Sequence, residues 1–515
     1  MGLSLLFRRS RVRAYLRQRF EGAWYVDAEH KDSYSRDQSV FRFRPEAVVV
    51  PRSLEDLGRA LELAQEEGLP ITPRTGGSST GGSATGPGIL VDMRGESFSK
   101  LQVTTTESGP TIIAGPGVRH DQIQRAFREE GHHLPSDPSS GPLSFLGGNI
   151  ATKASGAHAL RYGAIDRYLA QVEMMLPDGR LLSSSADLSS ADWDLDAYLS
   201  GLAEELPDRL EHRRISKCAS GYNLSAAVAT PSGTKRLAAL ACGAVGTLGI
   251  VTRAVVTGEP LEPGHALCVL GFATATEAAA HVPSLLATNP SAIELLDERC
   301  LALMPTTVKE GFSDTAGALL VAEFSGPEAL SRATKAARHA GARLETIWNH
   351  AEDANRIEAF WKGRKRMLFS VKTNAGGEGA PSLINDVGVP VESLSRFVRD
   401  VERLVSGFSP ALYVYGHAGS GNLHLRPDVR GVSQKGQIAM ARAVYELVLA
   451  YDGTVTGEHG MGRLRAPWLK REWGPEVYHA MGRIKAAMDP SGIMNPDAMF
   501  TGRSFEEVME GASLG

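Results

Sequence analysis

The stretch Pro73–Ala84, PRTGGSSTGGSA, decides how the rest of this chain is read. Four of its twelve residues are Gly and five more are Ser or Thr. Glycine lets backbone approach a ligand closely and adopts positive φ without a side-chain clash. Successive N–H groups turned into one concavity form an anion nest, and hydroxyls add further donors. The run is therefore a candidate phosphate cradle. It matches neither common nucleotide motif, because no Lys-Ser/Thr pair follows and the run leads into a strand, not a helix. Alone, such a run is more often a surface loop. Its neighbours carry the argument.

Upstream, the apolar strand AVVV ends at Pro51, and Ser53 with Asp56 opens a helix over LEDLGRALELA that Gly68 stops. Downstream come strands at ILVDM and TIIAGPG, then a helix over HDQIQRAFREE ending at Gly131. The stretch Leu134–Gly163, LPSDPSSGPLSFLGGNIATKASGAHALRYG, has too little periodicity for a core element. A loop of that length inside a compact domain is usually functional. QVEMML and RLL flank Pro177-Asp178-Gly179, a hairpin signal. ALACGAVGTLGIVTRAVV is a Gly-rich turn running into a buried strand, and the first domain closes near Gly258.

Beyond Glu262 a strand–helix rhythm recurs: ALCVLGF, ALLVAEF, DVGVPV and ALYVYGH alternate with amphipathic segments. This pattern predicts an α+β cap with a mostly antiparallel sheet and helices on one face. After Gln437 the sequence is largely helical.

At 515 residues the chain is too long for one core. A net charge of −4 gives no reason to expect nucleic acid as a partner. The four cysteines (Cys218, Cys242, Cys268, Cys300) are too scattered for zinc, iron–sulfur or a disulfide framework. The first twenty residues carry six arginines, no acid and too short an apolar run for a signal peptide. Two readings stay open: a helix packed on the body, or a basic amphipathic helix on an anionic membrane or partner subunit. The expected location is cytoplasmic, with peripheral contact at the inner face of the membrane as the second option.

Two further stretches carry chemistry. In YGHAGSGNLHLRPD, His417 and His424 flank six residues that can turn a hairpin. Directly opposite residues of a hairpin have Cβ atoms roughly 4.5–5.5 Å apart, close enough for two imidazoles to share a metal. In GTVTGEHGMG, Glu458 and His459 stand between glycines. Two His with a carboxylate and an open position form a recurring catalytic metal set. Three of the 14 histidines fall in these two loops, so chance alone is a weak explanation.

Taken together, these stretches resemble the FAD-dependent D-2-hydroxyacid dehydrogenases (D-lactate dehydrogenase, D-2-hydroxyglutarate dehydrogenase, the glycolate oxidase flavin subunit) of the vanillyl-alcohol oxidase superfamily. The resemblance runs from about Phe41 to Phe500. It implies a basic N-terminal helical segment (1–40), an FAD-binding domain of the PCMH type (41–258), a substrate cap (259–450) and a C-terminal helical segment returning to the FAD domain (451–515). Arg74, Thr75, Gly76, Gly77, Ser78 and Ser79 resemble the pyrophosphate loop, and Pro135, Asp137 and Ser139 a second FAD-contacting loop. Gly147, Gly148, Asn149, Ser155 and Gly156 resemble the segment beside the flavin. Gly246, Thr247 and Ile250 resemble the end of the family's GSEGTLGI, and Asn495 the Asn of its C-terminal motif. Some relatives attach flavin through a His at the position of Ser78, so the FAD here is expected to be non-covalent. His417, His424 and Glu458 resemble ligands of a divalent metal (zinc, manganese or iron), His459 the active-site base, and Arg364 the receiver of the substrate carboxylate.

The chemistry agrees with that assignment. Oxidising a 2-hydroxy acid requires loss of the hydroxyl proton as hydride leaves the same carbon. A divalent ion acts as Lewis acid, much as it can lower bound water from a pKa of 15.7 to about 7. A His base contributes typically ~10²–10⁴ in rate. The chain departs from the family at Val245, where relatives usually have Glu, and at Ser420, where many have Asp. The Gly-rich SVKTNAGGEGAPSLIND lacks a Lys seen in some hydroxyglutarate enzymes. Some relatives continue into an iron–sulfur domain, which makes a separate electron-acceptor subunit the expected partner. Two competing functions share the fold: a non-redox FAD transferase resembling alkylglycerone-phosphate synthase, and a flavin subunit that only relays electrons.

Overall fold

The computed structural model describes residues 2–188, 193–211, 215–310, 312, 316–339, 343–375 and 381–512. The centre of the Gly-rich segment before Asp386, residues 376–380, lies outside the described residues.

The N-terminal half holds two sheets. In the first, Ala47–Val50, Ile89–Asp92 and Ile71–Arg74 run parallel, with Ala23–Tyr25 antiparallel on the outer edge. The helix Leu54–Glu67 packs its apolar stripe (Leu57, Ala60, Leu61, Ala64) against this sheet. Ser53 Oγ caps it by accepting from Asp56 N at 3.1 Å, and Gly68, at φ +59°, ends it. Outside lies the N-terminal helix Gly2–Arg19, with Val12 and Leu16 buried in the same core. Arg9, Arg11 and Arg19 of that helix pair with Glu46, Glu67 and Glu62. Val12 and Leu16 are thus spent on the body, while the arginines remain largely exposed. Among the described residues no helix is long and apolar enough to cross a membrane.

The second sheet is antiparallel, ordered Leu101–Thr106, Gly109–Ala114, Ile250–Thr257, Leu169–Met175 and Leu181–Leu182. The stretch from Leu134 to Gly163 departs from expectation. It contains a seven-residue helix, Leu146–Thr152, that buries Leu146, Asn149 and Ile150. Two glycines in LGGNIAT give it low helix propensity, so packing and not local preference forms this helix.

The cap is built on a seven-stranded sheet in which every pair is antiparallel. Its order is Arg343–Asn349, His265–Phe272, Ala318–Ser325, Ala292–Asp297, Leu412–His417, Asn422–Pro427 and Val387–Gly388. Helices cover both faces, correcting the expectation of one. Leu267, Val269, Leu319 and Val321 pack with Ile357, Phe360, Met367 and Val371 from the helices His350–Lys365 and Met367–Asn374. Ala266, Cys268, Leu270 and Leu320 point the other way, into the core shared with Ala333, Phe397 and Val401. The unbroken apolar runs ALCVLGF and ALLVA are the signature of strands covered on both sides.

The hairpin of Leu412–His417 and Asn422–Pro427 turns through Ala418–Gly421, with Gly421 at φ +67°. This register sets His417 opposite Asn422 and His424 opposite Tyr415. The two histidines are therefore diagonal neighbours, not directly opposite as expected, because the loop is four residues long instead of six. Diagonal pairs remain within reach of large side chains, and the imidazole centroids lie 5.3 Å apart.

Near the C-terminal end of the chain, Ile493 O accepts from Ile71 N and Asn495 N donates to Ile71 O, both at 2.8 Å. The Asn495 amide donates to Ser83 O (2.8 Å) and Val245 O (2.7 Å), and its oxygen accepts from Arg463 (3.1 Å). It staples the Gly-rich loop to the CGAVGTLGI turn. Asn495→Ala leaves both carbonyls without this donor at a cost of about 1–3 kcal/mol each. The expected outcome is a lower urea midpoint in cofactor-free protein, corresponding to about 2–6 kcal/mol of lost unfolding free energy. An unchanged midpoint would mean the staple contributes nothing.

Candidate active site

A cavity of 540 Å³ runs from the Gly-rich loop to the His424 hairpin. At one end it is lined by Arg74, Thr75, Gly77, Ser78 and Ser79, with Ser139, Gly147, Gly148, Asn149, Gly246 and Ile250 along the walls. At the other end stand Ser155, Arg364, His424, Glu458 and His459. Gly76, Pro135, Asp137, Gly156, Asn495 and His417 are not in the lining.

Most of these absentees brace the wall. A Cβ on Gly76 would sit 2.6 Å from Leu143 O, and one on Gly156 only 2.3 Å from Asp137 O, so both glycines let two loops touch. Asp137 pairs with Lys365 at 2.5 Å, tying the long loop to a cap helix. Burial opposes its ionisation, but His120 and Lys365 outweigh that and hold its pKa well below the usual carboxylate range. Arg74 donates to Arg36 O and Ala84 O, both at 2.9 Å, and braces its own loop from beneath Gly77. Pro135 is buried.

The far end is organised by charge. Ligand atoms of His417, His424 and Glu458 all lie within 4.8 Å of one another. Glu458 Oε1 is 3.3 Å from His417 Nε2 and 3.2 Å from His424 Nε2. Each imidazole is held from behind: His417 Nδ1 by Glu294 at 2.5 Å, and His424 Nδ1 by Asn385 O at 2.9 Å. Outer partners of this kind fix the tautomer, leaving Nε2 free for a ligand. The second oxygen of Glu458 meets Lys217 at 2.7 Å. Burial would raise the Glu458 pKa, yet Lys217 and His417 pull it well below its ordinary value.

Glu294 serves two groups. Its Oε2 is 2.5 Å from Arg364 Nε, while Oε1 holds His417. Burial works against its charge, and Arg364 with His417 reverses the effect, to a pKa of about 2. Arg364 is buried, stacks over Tyr415 at 4.9 Å, and keeps Nη2 without a partner while lining the cavity. A buried donor left unpaired is expensive, which makes this guanidinium a candidate for meeting a ligand.

His459 is half-buried, and burial lowers its pKa to about 4 despite the nearby Asp386 and Glu458 charges. It is neutral at pH 7. Asp386 shapes its loop by accepting from the backbone N–H of Glu458 (3.0 Å) and His459 (2.9 Å) and from Thr456 Oγ1 (2.7 Å).

Residues 45–185, which include the Gly-rich loop, match the FAD binding domain family, and residues 263–499 match the C-terminal domain of FAD linked oxidases. The chain carries an FAD binding domain and the C-terminal domain of FAD linked oxidases. It is 27% identical over 493 residues to glycolate oxidase subunit GlcD of Bacillus subtilis, covering 91% of this chain and 92% of the relative. It is 28% identical to the mitochondrial D-lactate dehydrogenase [cytochrome] of Arabidopsis thaliana (88% and 73% covered). It is 27% identical to D-2-hydroxyglutarate dehydrogenase of Pseudomonas putida, of which it spans about half (51%). Among solved structures, an alkyldihydroxyacetonephosphate synthase superposes with a TM-score of 0.63 at 16% identity (92% and 83% covered). 4-Ethylphenol oxidase of Gulosibacter chungangensis superposes at 0.65 and 17% (93% and 95%). Such low identities show the fold alone: a PCMH-type FAD-binding domain beneath an α+β cap.

Several residues of this site escaped the sequence reading. Glu294 stands in the buried strand AIELLD, and a carboxylate inside an apolar strand signals a buried partner. Lys217 precedes CASGYNL with no readable spacing, and Asp386 is an isolated acid in a loop. Removing one member of a buried ion pair costs about 3–5 kcal/mol. Glu294→Gln should lose about that much stability in urea denaturation, and Glu294→Gln with Arg364→Met should recover part of it. Full additivity of the two changes would contradict the coupling.

Proposed function

We propose that this chain oxidises a D-2-hydroxy acid to the 2-oxo acid, with non-covalent FAD as the first electron acceptor. The observation that supports it most directly is Arg364, a buried guanidinium with Nη2 unpartnered that lines the cavity shared with His424, Glu458 and His459. A planar fork of N–H donors suits a carboxylate better than a Lys would. Arg364 holds the acid, and Glu294 keeps the guanidinium from turning away. Neutral His459 accepts the hydroxyl proton on Nε2, the ring nitrogen 3.8 Å from Glu458. In that tautomer the Nδ1 hydrogen faces Asp386 Oδ2, 3.6 Å away, in place of the contact with the Asn385 amide (3.1 Å). Asp386 then balances the charge of the protonated ring.

Bound FAD supplies the hydride acceptor. The glycine-lined loop and the cavity walls fit it, and Ser78 offers no nitrogen for a covalent link. His417, His424 and Glu458 would hold a divalent ion (zinc, manganese or iron), which supplies Lewis acidity toward the substrate hydroxyl. The donor set fits, since both Nε2 atoms turn toward Glu458 with Nδ1 already engaged. The D configuration follows the names of two relatives, and a separate electron-acceptor subunit fits a relative named as a subunit.

The test is anaerobic mixing of flavin-loaded protein with D- and L-lactate, glycolate, and D- and L-2-hydroxyglutarate, following flavin absorbance. The expected outcome is bleaching by a D-acid, suppressed by a chelator and slowed by roughly 10²–10⁴ in His459→Ala. Flavin that no acid bleaches would overturn the oxidation and favour transfer chemistry or electron relay.

A further inference from the structure

The cavity carries two more cations, Arg426 and Lys372, that the mechanism above does not use. Every other cation at this end has a carboxylate: Arg364 has Glu294, Lys217 has Glu458, and Lys365 has Asp137. Among the described residues, Arg426 and Lys372 have none within ion-pair distance. The polar partners of Arg426 are neutral: Pro381 O at 3.3 Å, Ser382 Oγ at 3.1 Å and the Tyr415 hydroxyl. Its Nε is buried without a partner, although the residue is only 1% exposed. Two other buried arginines, Arg463 and Arg465, also spread their bonds over three protein acceptors each, and Arg465 Nε is likewise without a partner, but neither lines the cavity.

Position adds to this. Arg426 lies two residues beyond His424 on the strand Asn422–Pro427, so both side chains leave the same face of the sheet. Two residues along a strand span roughly 6.6–6.8 Å. Lys372 comes from the helix Met367–Asn374, which follows the helix bearing Arg364. We infer that Arg426 and Lys372 form a second anion subsite, and that the acid this chain oxidises carries a distal carboxylate or phosphate. This rests on the hydroxy-acid reading for the reaction, but the subsite itself does not.

The physics favours a dianion on two counts. Two like charges facing one cavity with no counter-charge among the described residues are costly when desolvated. A distal anion offsets that cost, whereas glycolate or lactate would close the site over unpaired cations. Such a penalty is how a site rejects a smaller analogue that fits sterically. The strand repeat between His424 and Arg426 suits a chain longer than that of glycolate or lactate.

The experiment measures kcat/KM with an artificial acceptor for D-malate, D-2-hydroxyglutarate and 3-phospho-D-glycerate against D-lactate and D-2-hydroxybutyrate. At least one dianion should lead, and its identity tells carboxylate from phosphate. Arg426→Gln and Lys372→Met should each cut the ratio of dianion to monoanion by roughly 10–100-fold, with Arg426→Lys restoring part of it. A wild-type preference for the monoanions, or an unchanged ratio in both variants, overturns the proposal. Where no acid reduces the flavin, binding of glutarate against butyrate, followed by flavin absorbance, still tests the subsite. Tighter glutarate binding that Lys372→Met abolishes supports it, and equal binding overturns it.

Discussion

A carboxylate shut away from water needs positive partners, and in this protein two of them, Glu294 and Glu458, share His417 between them. The sequence of charges Arg364, Glu294, His417, Glu458, Lys217 runs through buried space from one side of the site to the other. Each group is held by the next, so none can change rotamer alone. Such a network contributes little net stability, because desolvation cancels most of the Coulomb gain. What it provides is position. The Arg364 guanidinium, the imidazoles and the carboxylate they face are fixed relative to one another before any ligand arrives, which is what a reaction sensitive to sub-ångström placement requires.

The other end of the cavity is organised by neutral contacts. There the wall is backbone: glycines where loops touch, and a helix of poor intrinsic propensity wedged between them. Val245 holds φ at +46° in this wall, an uncommon conformation for a β-branched residue. Its carbonyl is one of the two that Asn495 binds. A strained turn and a polar staple therefore sit at the same point, the staple restraining what the turn would otherwise release.

Much of this was legible in the chain. Gly and Ser in PRTGGSSTGGSA announce a loop whose backbone lines a cavity, and the spacing of His417, His424, Glu458 and His459 in two Gly-rich segments announces the cluster they form. The helix at Leu54–Glu67 carries its own cap and stop, so local chemistry wrote its boundaries. What the sequence hid depends on distant partners. Glu294 matters because a strand pairing brings Leu295 beside Gly416, more than a hundred residues away. Lys217 matters because Glu458 lies against it in space. The one-sided cap was a misreading of ALCVLGF, where an unbroken apolar run already implied cover on both faces. The hairpin register failed for a smaller reason: the loop is shorter than the segment between the histidines.

The Asn495 staple also has a bearing on time. The Gly-rich loop leaves the ribosome early, whereas the side chain that ties it to the facing turn is made roughly 420 residues later. At about 5–20 residues per second, that interval is on the order of 20–80 seconds. During it the first domain can fold, but its cofactor wall is open on one side. Closing that wall therefore waits until Asn495 has been made.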